Sequence, residues 1–90
     1  MLKIDQELGG LTLDLVNIAS VSKDEKAIAD LVQAALSEVK HLKVSRISNS
    51  VIAQTNFGAN QRVVIAGHLD TVPANNNFPG KKTSTEVIGL

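Results

Sequence analysis

Apolar residues recur every three or four positions over the first part of the chain, and the period then changes. Ile4, Leu8, Leu11, Leu15 and Ile18 fall on one helical stripe, which predicts a helix over residues 6–18. Gly9 and Gly10 weaken its start, because a glycine inside a helix costs about 1 kcal/mol relative to alanine. A cleaner apolar face follows through Ile28, Leu31, Val32, Ala35, Leu36 and Val39. Ser22 and Glu25 stand before it with the S-x-x-E spacing of a capping box, in which hydroxyl and carboxylate each satisfy an open N–H. Lys40 and His41 are expected in its last turn, where positive charge suits the helix dipole.

From Leu42 onward the pattern is that of strands. Val44 and Ile47 lie in one β-rich run and Val51 and Ile52 in a second, with Ser48-Asn49-Ser50 as the turn of an antiparallel hairpin. After a polar break, Val63-Val64-Ile65-Ala66 reads as a strand buried on both faces near a sheet centre. Residues 72–82 read as a Pro/Gly/Asn loop, and Glu86, Val87 and Ile88 as a last strand. The fold class is therefore α/β, with helices packed on a mixed sheet.

Composition narrows the class. Of 90 residues, 27 are Val, Ile or Leu, which argues for a packed core over disorder. There is no cysteine, so any metal must be held by His, Asp or Glu. Nine basic residues balance nine acidic ones, leaving no basic footprint for a nucleic acid or an acidic membrane surface. No apolar run approaches the ~20 residues of a membrane span. The chain is read as soluble and cytoplasmic, with neither nucleic-acid nor membrane partners.

Gly67-His68-Leu69-Asp70-Thr71-Val72-Pro73 is the stretch that carries chemistry. In extended backbone His68 and Asp70 project to the same side, at the strand end where open α/β sheets place their sites. An imidazole there can bind a divalent cation through one nitrogen, while a carboxylate accepts from the other and fixes the tautomer. As a bare H-x-D pattern it more often marks a hydrogen-bonded structural histidine.

The seven-residue context changes that reading. The seven residues, preceded by Val63-Val64-Ile65-Ala66, closely resemble the first signature of the co-catalytic zinc peptidases. That group includes aminoacylase, carboxypeptidase G, acetylornithine deacetylase and succinyl-diaminopimelate desuccinylase. Ile18-Ala19-Ser20-Val21-Ser22, followed by Asp24-Glu25, resembles the family's Ile-Pro-Ser-x-Ser turn, with Ala19 in place of proline. Val87-Ile88-Gly89-Leu90 is similar to the strand entering its motif Gly-x-x-Asp-Met-Lys.

The resemblance implies that residues 1–90 are the N-terminal part of one zinc-peptidase-like catalytic domain, truncated before the second metal-ligand motif. It makes His68 a terminal ligand of one metal and Asp70 the catalytic aspartate that orients it. It implies two divalent ions, zinc or cobalt, at most one of them weakly held by these residues alone. It also implies a small-molecule N-acyl amino acid substrate and a homodimer formed through a domain absent here. The compact loop with Pro79, Lys81 and Lys82 is most similar to the desuccinylases of the group. The competing class is a non-catalytic α/β interaction module that pairs through its last strand.

Overall fold

The computed structural model describes residues 2–90. Helix α1 (Leu8–Val16) begins later than the apolar stripe predicts, and Glu7 explains why. Its carboxylate accepts from the amides of Gly9 (3.0 Å) and Gly10 (2.6 Å), two of the N–H groups that a helix start leaves open. The two glycines thus lie in the first turn, where the cap serves them, and not in the helix interior. Lys82 Nζ reaches the same carboxylate at 2.9 Å. Lys82 and, after it, the two amides hold the Glu7 carboxyl below its ordinary value.

Helix α2 (Lys26–Ser37) carries the best apolar face, and Ile28, Ala29 and Ala35 are its buried residues. The expected capping box does not form. Glu25 occupies the N-cap position without a side-chain bond to the helix, because the Ser22 hydroxyl is spent on Asp70. The helix also stops before Lys40 and His41, which lie beyond its last turn. The His41 ring stacks on Phe57 instead, with centroids 5.8 Å apart.

Strands β1 (Lys43–Ile47) and β2 (Ser50–Gln54) form the expected antiparallel hairpin, with Ile47 opposite Ser50 and Lys43 opposite Gln54. Arg46 fastens it to α2, against which both strands pack. Its guanidinium donates to Asp30 Oδ1 and Gln33 Oε1 at 2.9 Å, to Asn49 Oδ1 at 3.1 Å and to the Ser48 carbonyl. One planar fork therefore joins a helix face to the hairpin turn.

Strands β3 (Lys81–Lys82) and β4 (Val87–Ile88) pair antiparallel and pack on α1. β3 lies inside the stretch expected to be loop, and β4 starts one residue after the expected Glu86. Close approach requires Gly80 here. A Cβ at that position would stand 2.6 Å from Val16 Cγ2 and 3.1 Å from the Ile88 carbonyl, while its amide donates to Asn17 Oδ1 at 2.7 Å.

Two expectations fail at the level of the sheet. The elements do not share one mixed sheet: they form two separate two-stranded antiparallel sheets, joined to nothing parallel except an isolated bridge between Val21 and Thr71. The supposed central strand is unpaired, and Val63, Val64 and Ile65 are 87%, 79% and 96% exposed. A strand exists through its neighbours' hydrogen bonds. Here β2 is paired with β1, and a groove of about 830 Å³, lined by β2 and by Val63, Val64 and Ile65, takes the place of a ladder.

The hydrophobic core is correspondingly small, with Leu2, Ile28, Ala29 and Ala35 as its buried apolar residues. The radius of gyration is 14.6 Å, above the ~12 Å of a compact domain of this length. No described helix is long and apolar enough to cross a membrane.

Replacing Arg46 by Met should remove the fork while keeping the aliphatic stem. Urea denaturation is expected to show a loss of about 1.5–3 kcal/mol, the usual range for hydrogen bonds to a charged group. An unchanged midpoint would contradict the role given to this side chain.

Candidate functional site

Two short segments nearly fifty residues apart meet at the isolated parallel bridge. The Ser22 amide donates to the Thr71 carbonyl at 3.0 Å, and the Thr71 amide donates to the Ser20 carbonyl at 2.8 Å. Ser20 is buried at 2% exposure, and the chain then turns sharply, with the Asp24 amide donating to the Val21 carbonyl at 2.8 Å. These contacts join the Ser20-Val21-Ser22 turn to the stretch that holds His68 and Asp70.

Side chains continue what the backbone begins. The Ser22 hydroxyl donates to Asp70 Oδ2 at 2.5 Å. His68 Nδ1 lies 2.8 Å from the Asp70 carbonyl oxygen and 3.1 Å from Asp70 Oδ1. A carbonyl oxygen can only accept, so Nδ1 carries the proton and donates to both. In the neutral ring the Nε2 lone pair is then open, on an imidazole that is 82% exposed. The Ser22 hydrogen bond, with smaller help from His68, holds the Asp70 carboxyl below the usual aspartate value, while its partial burial acts the other way.

The structure thus brings His68 and Asp70 together, although not by strand alternation. Residues 68–70 lie in no strand, and the contact uses the main-chain carbonyl of Asp70 as well as its carboxylate. Ser22 is the participant that sequence reasoning missed. The Ile18-Ala19-Ser20-Val21-Ser22 motif singles out this turn, but the spacing of Ser22 to Glu25 points to helix capping and gives no sign of Asp70.

His68 and Asp70 line two cavities at once. One, of about 440 Å³, is also lined by Glu25, Val32, Asn49 and Gly67; the other, of about 500 Å³, is apolar, with Val16, Ile18, Leu69 and Phe78. Glu25 Oε2 and Thr71 Oγ1 are buried without a hydrogen-bond partner. Among the described residues no group of three or more His, Cys, Asp or Glu side chains could hold a metal ion. The donor set fits a divalent cation through one nitrogen, His68 Nε2, where a catalytic zinc takes about three protein ligands.

No family model matches the chain. It is similar to curated proteins of two bacterial species. A Mycobacterium tuberculosis protein with the provisional name succinyl-diaminopimelate desuccinylase DapE is 40% identical over 80 residues, 88% of this chain and 23% of its own length, and the same holds in two strains. Succinyl-diaminopimelate desuccinylase of Corynebacterium glutamicum is 45% identical over 73 residues, 79% of this chain and 20% of its own length. The chain therefore spans about a fifth of the curated relatives it matches. A match over 88% of 90 residues takes in Ser22, His68 and Asp70 wherever it begins.

The lowered Asp70 value has a definite sign. Its ionised form contributes stability in full above the ordinary aspartate value of about 3.9, and this is lost as pH falls through the lower folded value. Carboxyl carbon NMR should place the Asp70 midpoint below ~3.9, and Ser22→Ala should raise it. A midpoint at or above the ordinary value would contradict the hydrogen-bonding scheme.

Proposed function

We propose that the chain is the N-terminal part of the catalytic domain of a metal-dependent amide hydrolase. Its reaction is the cleavage of N-succinyl-diaminopimelate to succinate and diaminopimelate. The observation that carries this reading is the state of His68: its Nδ1 proton is held by Asp70 and its Nε2 is left open. Support comes from the resemblance of Gly67-His68-Leu69-Asp70-Thr71-Val72-Pro73 to the zinc-peptidase signature and from relatives named as desuccinylases.

In this reading His68 is a terminal ligand, through Nε2, of one of two divalent ions, zinc or in its place cobalt. Asp70 keeps the ring proton on Nδ1, so no proton competes for the nitrogen that binds. By accepting on two oxygens it also restrains rotation of the ring. When bound, the pair of cations supplies polarisation of the scissile carbonyl and a water acidic enough to ionise near neutral pH. The remaining ligands and the general base that takes the water's proton are assigned to the rest of the longer protein, as is a domain through which it dimerises. The partner is a small N-acyl amino acid in the cytoplasm.

The reading is tested on a protein that carries these residues within the complete catalytic domain proposed for them. It should release succinate from N-succinyl-diaminopimelate. Hydrolysis of N-acetylornithine alone would move the assignment to another deacylase of the same group, and hydrolysis of neither would overturn it. His68→Ala is expected to abolish turnover and lower zinc content by elemental analysis; full metal content with normal turnover would sink the ligand role. Asp70→Asn should cut turnover about 10–100-fold, the usual cost of losing an outer-shell partner, with a smaller loss of metal.

At this site residues 1–90 offer one nitrogen donor, and His41 lies elsewhere, stacked on Phe57, so calorimetry should find at most weak zinc binding. A sub-micromolar dissociation constant would show that further ligands exist within them.

A further inference from the structure

We infer that Ser22 is a positioning residue for the His68–Asp70 pair, its hydroxyl fixing the Asp70 carboxylate in the orientation that receives the His68 ring proton. Two exposed side chains two residues apart do not hold each other firmly. An exposed histidine–carboxylate contact gains little and costs side-chain entropy, and the carboxylate torsion of an aspartate is broad. The His68 side chain is 82% exposed and that of Asp70 40%. Something else must set the carboxylate.

Ser22 is placed to do so by main-chain geometry. Its amide donates to the Thr71 carbonyl, which fixes the position of its Cβ relative to residues 70 and 71. Its hydroxyl lies 2.5 Å from Asp70 Oδ2 and 3.4 Å from the Thr71 carbonyl. A hydroxyl has one proton, and the shorter contact is in the range of a charge-assisted O–H···O⁻ bond. The proton therefore goes to Oδ2. With Oδ2 tied, the other oxygen, Oδ1, stands 3.1 Å from His68 Nδ1. Ser22 thus grips consecutive residues of the far segment, Thr71 by its amide and Asp70 by its hydroxyl. No competing duty draws the hydroxyl away, since α2 takes no side-chain cap from it.

The inference rests on the proposed metal-ligand role only for its catalytic consequence; the geometry can be tested with neither metal nor substrate. The experiment is long-range proton–nitrogen NMR of the His68 ring in the 90-residue chain, at an alkaline pH where its ring-nitrogen shifts no longer change. Amide exchange at Ser22 and Thr71 is followed in the same samples to report the bridge. The native chain should show one tautomer, protonated at Nδ1.

Ser22→Thr and Ser22→Val are compared because they match in shape and differ in the hydroxyl. Thr should keep the native tautomer ratio, and Val should lower it severalfold while the Asp70 carbonyl, 2.8 Å from Nδ1, still accepts, with the bridge amides equally protected in both. Equal ratios in the two variants would overturn the inference, as would a native ring of mixed tautomers or a Thr variant that loses bridge and tautomer together. Failure of the proposed hydrolase reaction would leave these outcomes untouched.

Discussion

Two main-chain hydrogen bonds, Ser22 to Thr71 and Thr71 to Ser20, are the constraint on which the site depends. The chain packs as two groups, α2 against the β1–β2 hairpin and α1 against β3 and β4. The bridge ties the turn between the helices to the segment between the sheets, and so closes a loop of almost fifty residues. Closure of a loop grows only slowly more costly with length, so two good hydrogen bonds and a buried Ser20 suffice to register the segments. With Val21 opposite Thr71 in a parallel bridge, Ser22 and Asp70 lie on either side of it, and the Ser22 hydroxyl reaches Asp70 Oδ2 diagonally across.

What was legible in the sequence was whatever depends on local period. The face of α2 follows from the spacing of Ile28, Leu31, Val32 and Ala35, and the hairpin from two β-rich runs about a short polar turn. The His68–Asp70 contact was legible too, since residues two apart can meet in several backbone conformations. Failures arose where a residue had two possible partners. Ser22 could cap a helix three residues on or reach a carboxylate forty-eight residues away, and spacing registers only the first. Glu7 likewise turned Gly9-Gly10 from an interruption into a capped first turn.

The segment Val63-Val64-Ile65-Ala66 shows the complementary limit. Four apolar residues in a row are the mark of a strand with neighbours on both sides, but a pattern states only what a segment needs. Within the described residues that need is unmet, and the side chains of Val63, Val64 and Ile65 face solvent. An exposed run of this kind is a pairing and aggregation hazard in isolation. It agrees with a chain that spans about a fifth of its curated relatives and has a core of a few aliphatic residues.

Chemically, the arrangement separates the two nitrogens of one imidazole. Nδ1 is committed inward to Asp70, which Ser22 holds in turn, and Nε2 is turned outward as a single donor. The most direct test is a crystal structure, grown with zinc, of a protein that carries these residues within the proposed catalytic domain, any metal located by anomalous scattering. His68 Nε2 should lie about 2.0–2.1 Å from a zinc ion, with Nδ1 still on Asp70 and Asp70 still on Ser22. Zinc bound through Nδ1, or a coordination sphere without His68, would contradict the assignment.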